Sequence, residues 1–68
     1  KPQEAEARER ILSWAASYAP DGRWFIQKAV SWWLRDLSKH DADRTRAFLA
    51  EHGDTMKAFA RKDAAKFL

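Results

Sequence analysis

Four side chains within one stretch of this 68-residue sequence have the types and spacing to act on a polyanion: Trp32, Lys28, Arg35 and Lys39. Read Trp24 to Lys39 as a helix at about 100° per residue, and Ile26, Val30, Trp33, Leu34 and Leu37 gather on one face. Lys28, Arg35 and Lys39 gather opposite, within about 40° of one another, and Trp32 falls on their edge. An indole set among three cations and turned away from the core suits a stacking surface beside a phosphate backbone. That combination is a nucleic-acid signature. The competing structural reading buries the helix on two sides, so that Trp32 packs on a neighbouring layer beneath the lysine and arginine stems.

Other constellations carry weaker chemistry. Lys57, Arg61, Lys62 and Lys66 recur along the last segment and could touch phosphate, or be ordinary surface charge. His40, Asp41, Asp43, Glu51 and His52 would make a metal site on paper, but the two histidines flank one helix about 18 Å apart. No metal and no cofactor are therefore expected. His40 reads as a turn residue, and His52 as a partner for a helix C-terminal dipole. Glu4, Glu6, Glu9 and Asp21 read as solvated acids. Trp14, Trp24 and Trp33 lie on or beside apolar stripes and read as packing residues.

The formal net charge of +3 is unevenly distributed. Residues 22–40 hold Arg23, Lys28, Arg35 and Lys39 against Asp36 alone; residues 54–68 hold Lys57, Arg61, Lys62 and Lys66 against Asp54 and Asp63. The segments 1–21 and 41–53 are slightly acidic. Positive charge on alternate segments is what a helical stack with one basic face requires. The absence of cysteine excludes disulfides and thiolate metal sites and fits a reducing compartment. No apolar run approaches the length of a membrane span, and no secretory core is visible, so the expectation is a soluble cytoplasmic protein without membrane partners.

Positioning these residues requires helices. Ala7, Ile11, Trp14, Ala15 and Tyr18 recur at helical spacing in a first helix over about 4–18, which Ala19-Pro20-Asp21-Gly22 ends as a turn. The second runs over about 24–39. Asp41 can cap the third, about 41–52, whose Thr45, Phe48 and Leu49 face inward before Gly53 supplies a left-handed stop. Asp54 or Thr55 can cap a fourth over about 54–68, with Met56, Phe59, Ala60, Ala64, Phe67 and Leu68 as its apolar side. Short connections make successive helices antiparallel neighbours, either as an up-and-down bundle or as two stacked hairpins. Hairpins of about 34 and 28 residues are close to helical-repeat periods, and two such units read as the end of a longer stack.

The stretch from Phe25 through Lys39, FIQKAVSWWLRDLSK, resembles the C-terminal signature of the AlkD-type DNA alkylation repair glycosylases. The resemblance continues through Arg46-Ala47-Phe48 and the run Arg61 to Lys66, covering about the last two-thirds of the chain. It implies an all-α fold of antiparallel helical hairpins in an α-solenoid of HEAT-like repeats, with a concave basic groove for duplex DNA. It also implies excision of N3- or N7-alkylated purines, and it places Trp32 on the groove wall beside the lesion nucleotide's sugar. There an indole face would stabilise positive charge developing on the departing nucleoside. The family's catalytic aspartate, its partner arginine and a second groove tryptophan belong to repeats N-terminal to this region. Nothing in residues 1–22 matches their motifs, so one wall of a site is expected here.

Three positions depart from the family pattern: Ser31 replaces a usual glycine, Leu37 a common tyrosine, and Ala60 a serine that would cap the final helix. Ser31 is small enough to keep a close approach, Leu37 should point into the core, and Ala60 lets the last helix run unbroken from Asp54. The reading is thus the C-terminal part of a prokaryotic, nucleoid-associated DNA alkylation repair glycosylase. Its partners are alkylated duplex DNA and upstream repeats of its own chain. In isolation the 68-residue segment is expected to be inactive. The alternative is a non-catalytic HEAT-like module that binds DNA or protein, and a third reading is an unrelated four-helix interaction domain.

Overall fold

The computed structural model describes residues 2–68 and is all-α. Its elements are α1 (Pro2–Tyr18), α2 (Trp24–Ser38), α3 (Ala42–His52), a single 3-10 turn (Gly53–Thr55) and α4 (Ala58–Ala64). No strand occurs among the described residues, and none of their helices is long and apolar enough to cross a membrane.

Local chemistry marks the end of α1 and the start of α3. After Tyr18, Pro20 cannot donate a backbone hydrogen bond. The Asp21 N–H turns back to the Tyr18 carbonyl at 2.9 Å. The Asp21 carboxylate then accepts from the Arg23 N–H at 3.1 Å, just ahead of α2. Asp41 caps α3 as expected, its side chain accepting from the Arg44 N–H at 3.1 Å.

Side-chain ties set the helix directions. Arg8, early in α1, pairs with Asp41 at the start of α3 (3.4 Å), and Glu9 takes two hydrogen bonds of 2.9 Å from Arg44. These contacts place α1 beside the start of α3, and the short turns on either side of α2 give the two helices the same sense. On the other layer, the Lys57 N–H ahead of α4 donates to Gln27 near the start of α2, and Asp63 further along α4 reaches Ser31 and Arg35. Helix α4 therefore runs alongside α2 in the same sense. An up-and-down bundle would pack α1 against α4; here the most extensive pairing is α2 with α4. The fold is two stacked hairpins, with α1 and α3 in one layer and the two basic helices, α2 and α4, in the other.

The core lies between the layers: Leu12, Ala15 and Ala19, Val30, Leu34 and Leu37, Phe48, Met56, and Ala60 and Ala64. Ser31 is fully buried at the α2–α4 contact, and Leu37 points inward, both as expected. Small residues at Ser31, Ala60 and Ala64 let the two helices come close. Thr45 and Phe48 are buried and Leu49 partly so.

Four expectations are corrected. The fourth helix does not run unbroken from Asp54, and neither Asp54 nor Thr55 caps it. Met56 and Lys57 are extended, and the Lys57 backbone N–H is held by Gln27, so tertiary hydrogen bonding breaks the helix where local propensity would continue it. Gly53 is not left-handed (φ −58°): it continues into the 3-10 turn, with the Arg61 stem packed at van der Waals distance from where a side chain would stand. The apolar face of α1 is rotated toward Leu12, Ala15 and Ala19, leaving Ile11 and Trp14 outside the buried core and partly exposed. The fourth helix also stops at Ala64, short of Leu68, and Phe59 on it and Phe67 and Leu68 beyond it are exposed, because only Ala60 and Ala64 of α4 enter the core.

Candidate nucleic-acid interface

Helix α2 holds its two faces apart by its register. Gln27, Val30, Ser31, Leu34, Leu37 and Ser38 are buried. Trp32 is 56% exposed and Trp24 64%. Trp33 is partly buried against the core, as its stripe implied, whereas Trp24 is not a packing residue. At about 100° per residue Trp24 lies within about 40° of Lys28 and Arg35, so its place on the basic face follows from periodicity alone.

Cations and rings interleave along this face. The Lys28 ammonium lies 5.5 Å from the centre of the Trp24 ring and 5.2 Å from that of Trp32. The Arg35 guanidinium is 6.0 Å from the Trp32 ring. Lys39, one turn beyond, sits 5.3 Å from the ring of Phe67, which Lys66 approaches from α4 at 5.8 Å. Ammonium groups over aromatic faces are attracted by the ring quadrupole, which holds long, flexible side chains over otherwise exposed rings. The four residues singled out from sequence thus share one solvent-facing surface, and Trp24, Phe67 and Lys66 extend it.

The cations are not equivalent. Arg35 donates to Asp63 at 2.9 Å in a pair with both side chains only about a quarter exposed (29% and 25%). Ser31 adds a 3.3 Å hydrogen bond to the same carboxylate. Asp63 therefore orients Arg35 beside Trp32 and offsets part of its charge. Nothing local to residues 61–66 signals this role, since it depends on how α4 registers against α2.

Gln27 is the second residue that sequence reading passed over. Its side chain is fully buried, donating to the carbonyls of Ala19 (2.8 Å) and Asp21 (2.6 Å) while accepting from Lys57 N–H (2.9 Å). One amide thus joins the α1–α2 turn to the start of α4 and fixes where α4 meets the basic face. The available signal was a polar residue within the apolar arc of α2.

At the distal layer, the Arg44 hydrogen bonds hold the Glu9 carboxyl below its ordinary pKa range, and Arg23 does the same for Asp21. His52 stacks obliquely on Phe48, with ring centres 4.8 Å apart, at the end of α3. No cluster of three metal-ligating side chains occurs among the described residues.

The family model described as DNA alkylation repair enzyme matches residues 1–68. No curated protein and no solved structure matches the chain. Because the family match spans all 68 residues, well beyond the signature in α2, the chain as a whole belongs to the DNA alkylation repair enzyme family.

Proposed function

We propose that this chain forms the C-terminal wall of a DNA glycosylase that excises N3- or N7-alkylated purines from duplex DNA. In this reading Trp32 lines a groove of HEAT-like hairpins beside the lesion nucleotide, and Lys28, Arg35 and Lys39 face the sugar-phosphate backbone. The supporting observation is that Trp32 is exposed on the basic layer with Lys28 and Arg35 over its ring, when a core role would have buried it. An indole face there can stabilise charge developing on deoxyribose, the same attraction it exerts on the two side-chain cations.

Upstream repeats would supply the carboxylate, so the chemistry belongs to the assembled groove. The alkylated duplex and those repeats are the proposed partners, in a prokaryotic cytoplasm. The decisive experiment measures abasic-site formation on duplex containing N7-methylguanine, with and without Trp32→Ala, in the protein carrying the upstream repeats. Loss of excision with the fold intact supports the reading. Duplex binding with no excision by the unsubstituted protein would instead identify a non-catalytic helical module.

A further inference from the structure

The exposed rings on the basic layer do not stop at Trp32. Trp24, Trp32 and Phe67 are all more than half exposed, each with at least one cation over its face. Trp24 and Trp32 are eight residues apart on α2, about 12 Å along the axis, and Lys39, which carries the contact to Phe67, lies about 10 Å further on. A strand of duplex DNA rises about 3.4 Å per nucleotide along the duplex axis and runs further than that along its own winding path, so each interval spans at most about three nucleotides.

From this spacing we propose that a single strand of the DNA duplex lies along the whole length of α2, contacting Trp24, Trp32 and Phe67 in turn. The rings take the apolar faces of its sugars, the Lys28 ammonium takes the phosphate between Trp24 and Trp32, and those of Lys39 and Lys66 take the phosphates beside Phe67. Arg35, held by Asp63, remains beside Trp32 as a fixed charge. This inference rests on the duplex-binding reading above and extends it to a footprint of several nucleotides, at most about six or seven. A polyanion fits because the interleaved charge is cationic, and a strand with apolar sugars fits because bare phosphate would leave three rings unused.

The test is binding of the full chain to a labelled 15-base-pair duplex and, separately, to inorganic polyphosphate, by fluorescence anisotropy across a salt series. Trp24→Ala and Phe67→Ala should each weaken duplex binding about fivefold or more, with the salt slope and polyphosphate binding unchanged. Phe67→Tyr should retain binding, and Lys66→Ala should reduce the salt slope by about one. If Trp32→Ala weakens binding while Trp24→Ala or Phe67→Ala does not, the strand-long contact is wrong and the Trp32 reading stands. Equal weakening toward polyphosphate would reduce the rings to supports for the ammonium groups and overturn the inference. If the unsubstituted chain shows no preference for duplex over polyphosphate, the functional reading itself fails.

Discussion

The two faces of α2 are built from the same fifteen residues, yet one is closed to water and the other carries its largest rings more than half exposed. The inner face combines aliphatic side chains with three polar ones, Gln27, Ser31 and Ser38, each hydrogen-bonded. The outer face carries large rings that a core would normally claim, interleaved with cations. The contrast is sharpest at two adjacent tryptophans: Trp33 packs against the core and Trp32 stands in solvent. Apolar character alone therefore does not separate structure from function in this helix. Angular position relative to the cations does.

Substitutions on the inner face should act on stability and leave the outer face competent. The largest effect is expected at Leu34, which is fully buried between the layers. Leu34→Ala should cost about 2 to 5 kcal/mol of unfolding free energy in a urea titration. The fraction still folded should bind duplex with unchanged affinity. A large loss of affinity per folded molecule would mean that the faces are coupled.

Gln27 offers a sharper cut, because its packing volume can be kept while its hydrogen bonds are removed. Gln27→Leu leaves two carbonyls and one N–H without their partner and should destabilise by about 1 to 3 kcal/mol. Hydrogen exchange should show the loss first at Lys57 and the opening of α4, since that amide is the one Gln27 accepts from. Uniform loosening of the whole chain would show that the tie is incidental.

Trp32 and Trp33 should then separate by observable. Trp32→Ala should weaken duplex interaction by about 1 to 3 kcal/mol with little change in stability. Trp33→Ala should lower stability by about 2 kcal/mol and leave binding by the folded fraction intact, since the ring is only partly buried. If the two variants are equally destabilising and neither affects duplex interaction, the comparison between the faces collapses.

The smallest effect expected is electrostatic and lies far from α2. Hydrogen bonds from Arg44 hold the folded-state pKa of Glu9 below its unfolded value. The tie between α1 and α3 is therefore fully present above the unfolded carboxylate range. It is lost as pH falls through the depressed folded-state pKa. Glu9→Gln should lower the neutral plateau of a stability-versus-pH curve slightly, because the pair is exposed, and leave the acid end unchanged, where Glu9 is protonated folded or unfolded, so that the acid limb flattens. A variant curve parallel to the original at all pH values would show that Glu9 carries no linkage.

Much of this molecule was written locally. Periodicity in residues 24–39 set both faces of α2, the Asp41 side chain announced the start of α3, and Pro20 with Asp21 announced the first turn, because capping, turn chemistry and helical angle depend only on near neighbours. The alternation of basic and acidic segments foretold that charge would collect on one layer. Tertiary structure decided the rest. It chose stacked hairpins over a bundle through ties separated by about thirty residues, Arg8 with Asp41 and Gln27 with Lys57. It broke the fourth helix at Met56 and Lys57, exposed Phe67, and gave Arg35 its partner Asp63. Those outcomes depend on which surface of α4 meets α2. Helix α4 offers both the small edge of Ala60 and Ala64 and the ring of Phe59, and close packing against α2 selects the alanines and leaves that ring, with Phe67 beyond the helix, to the solvent.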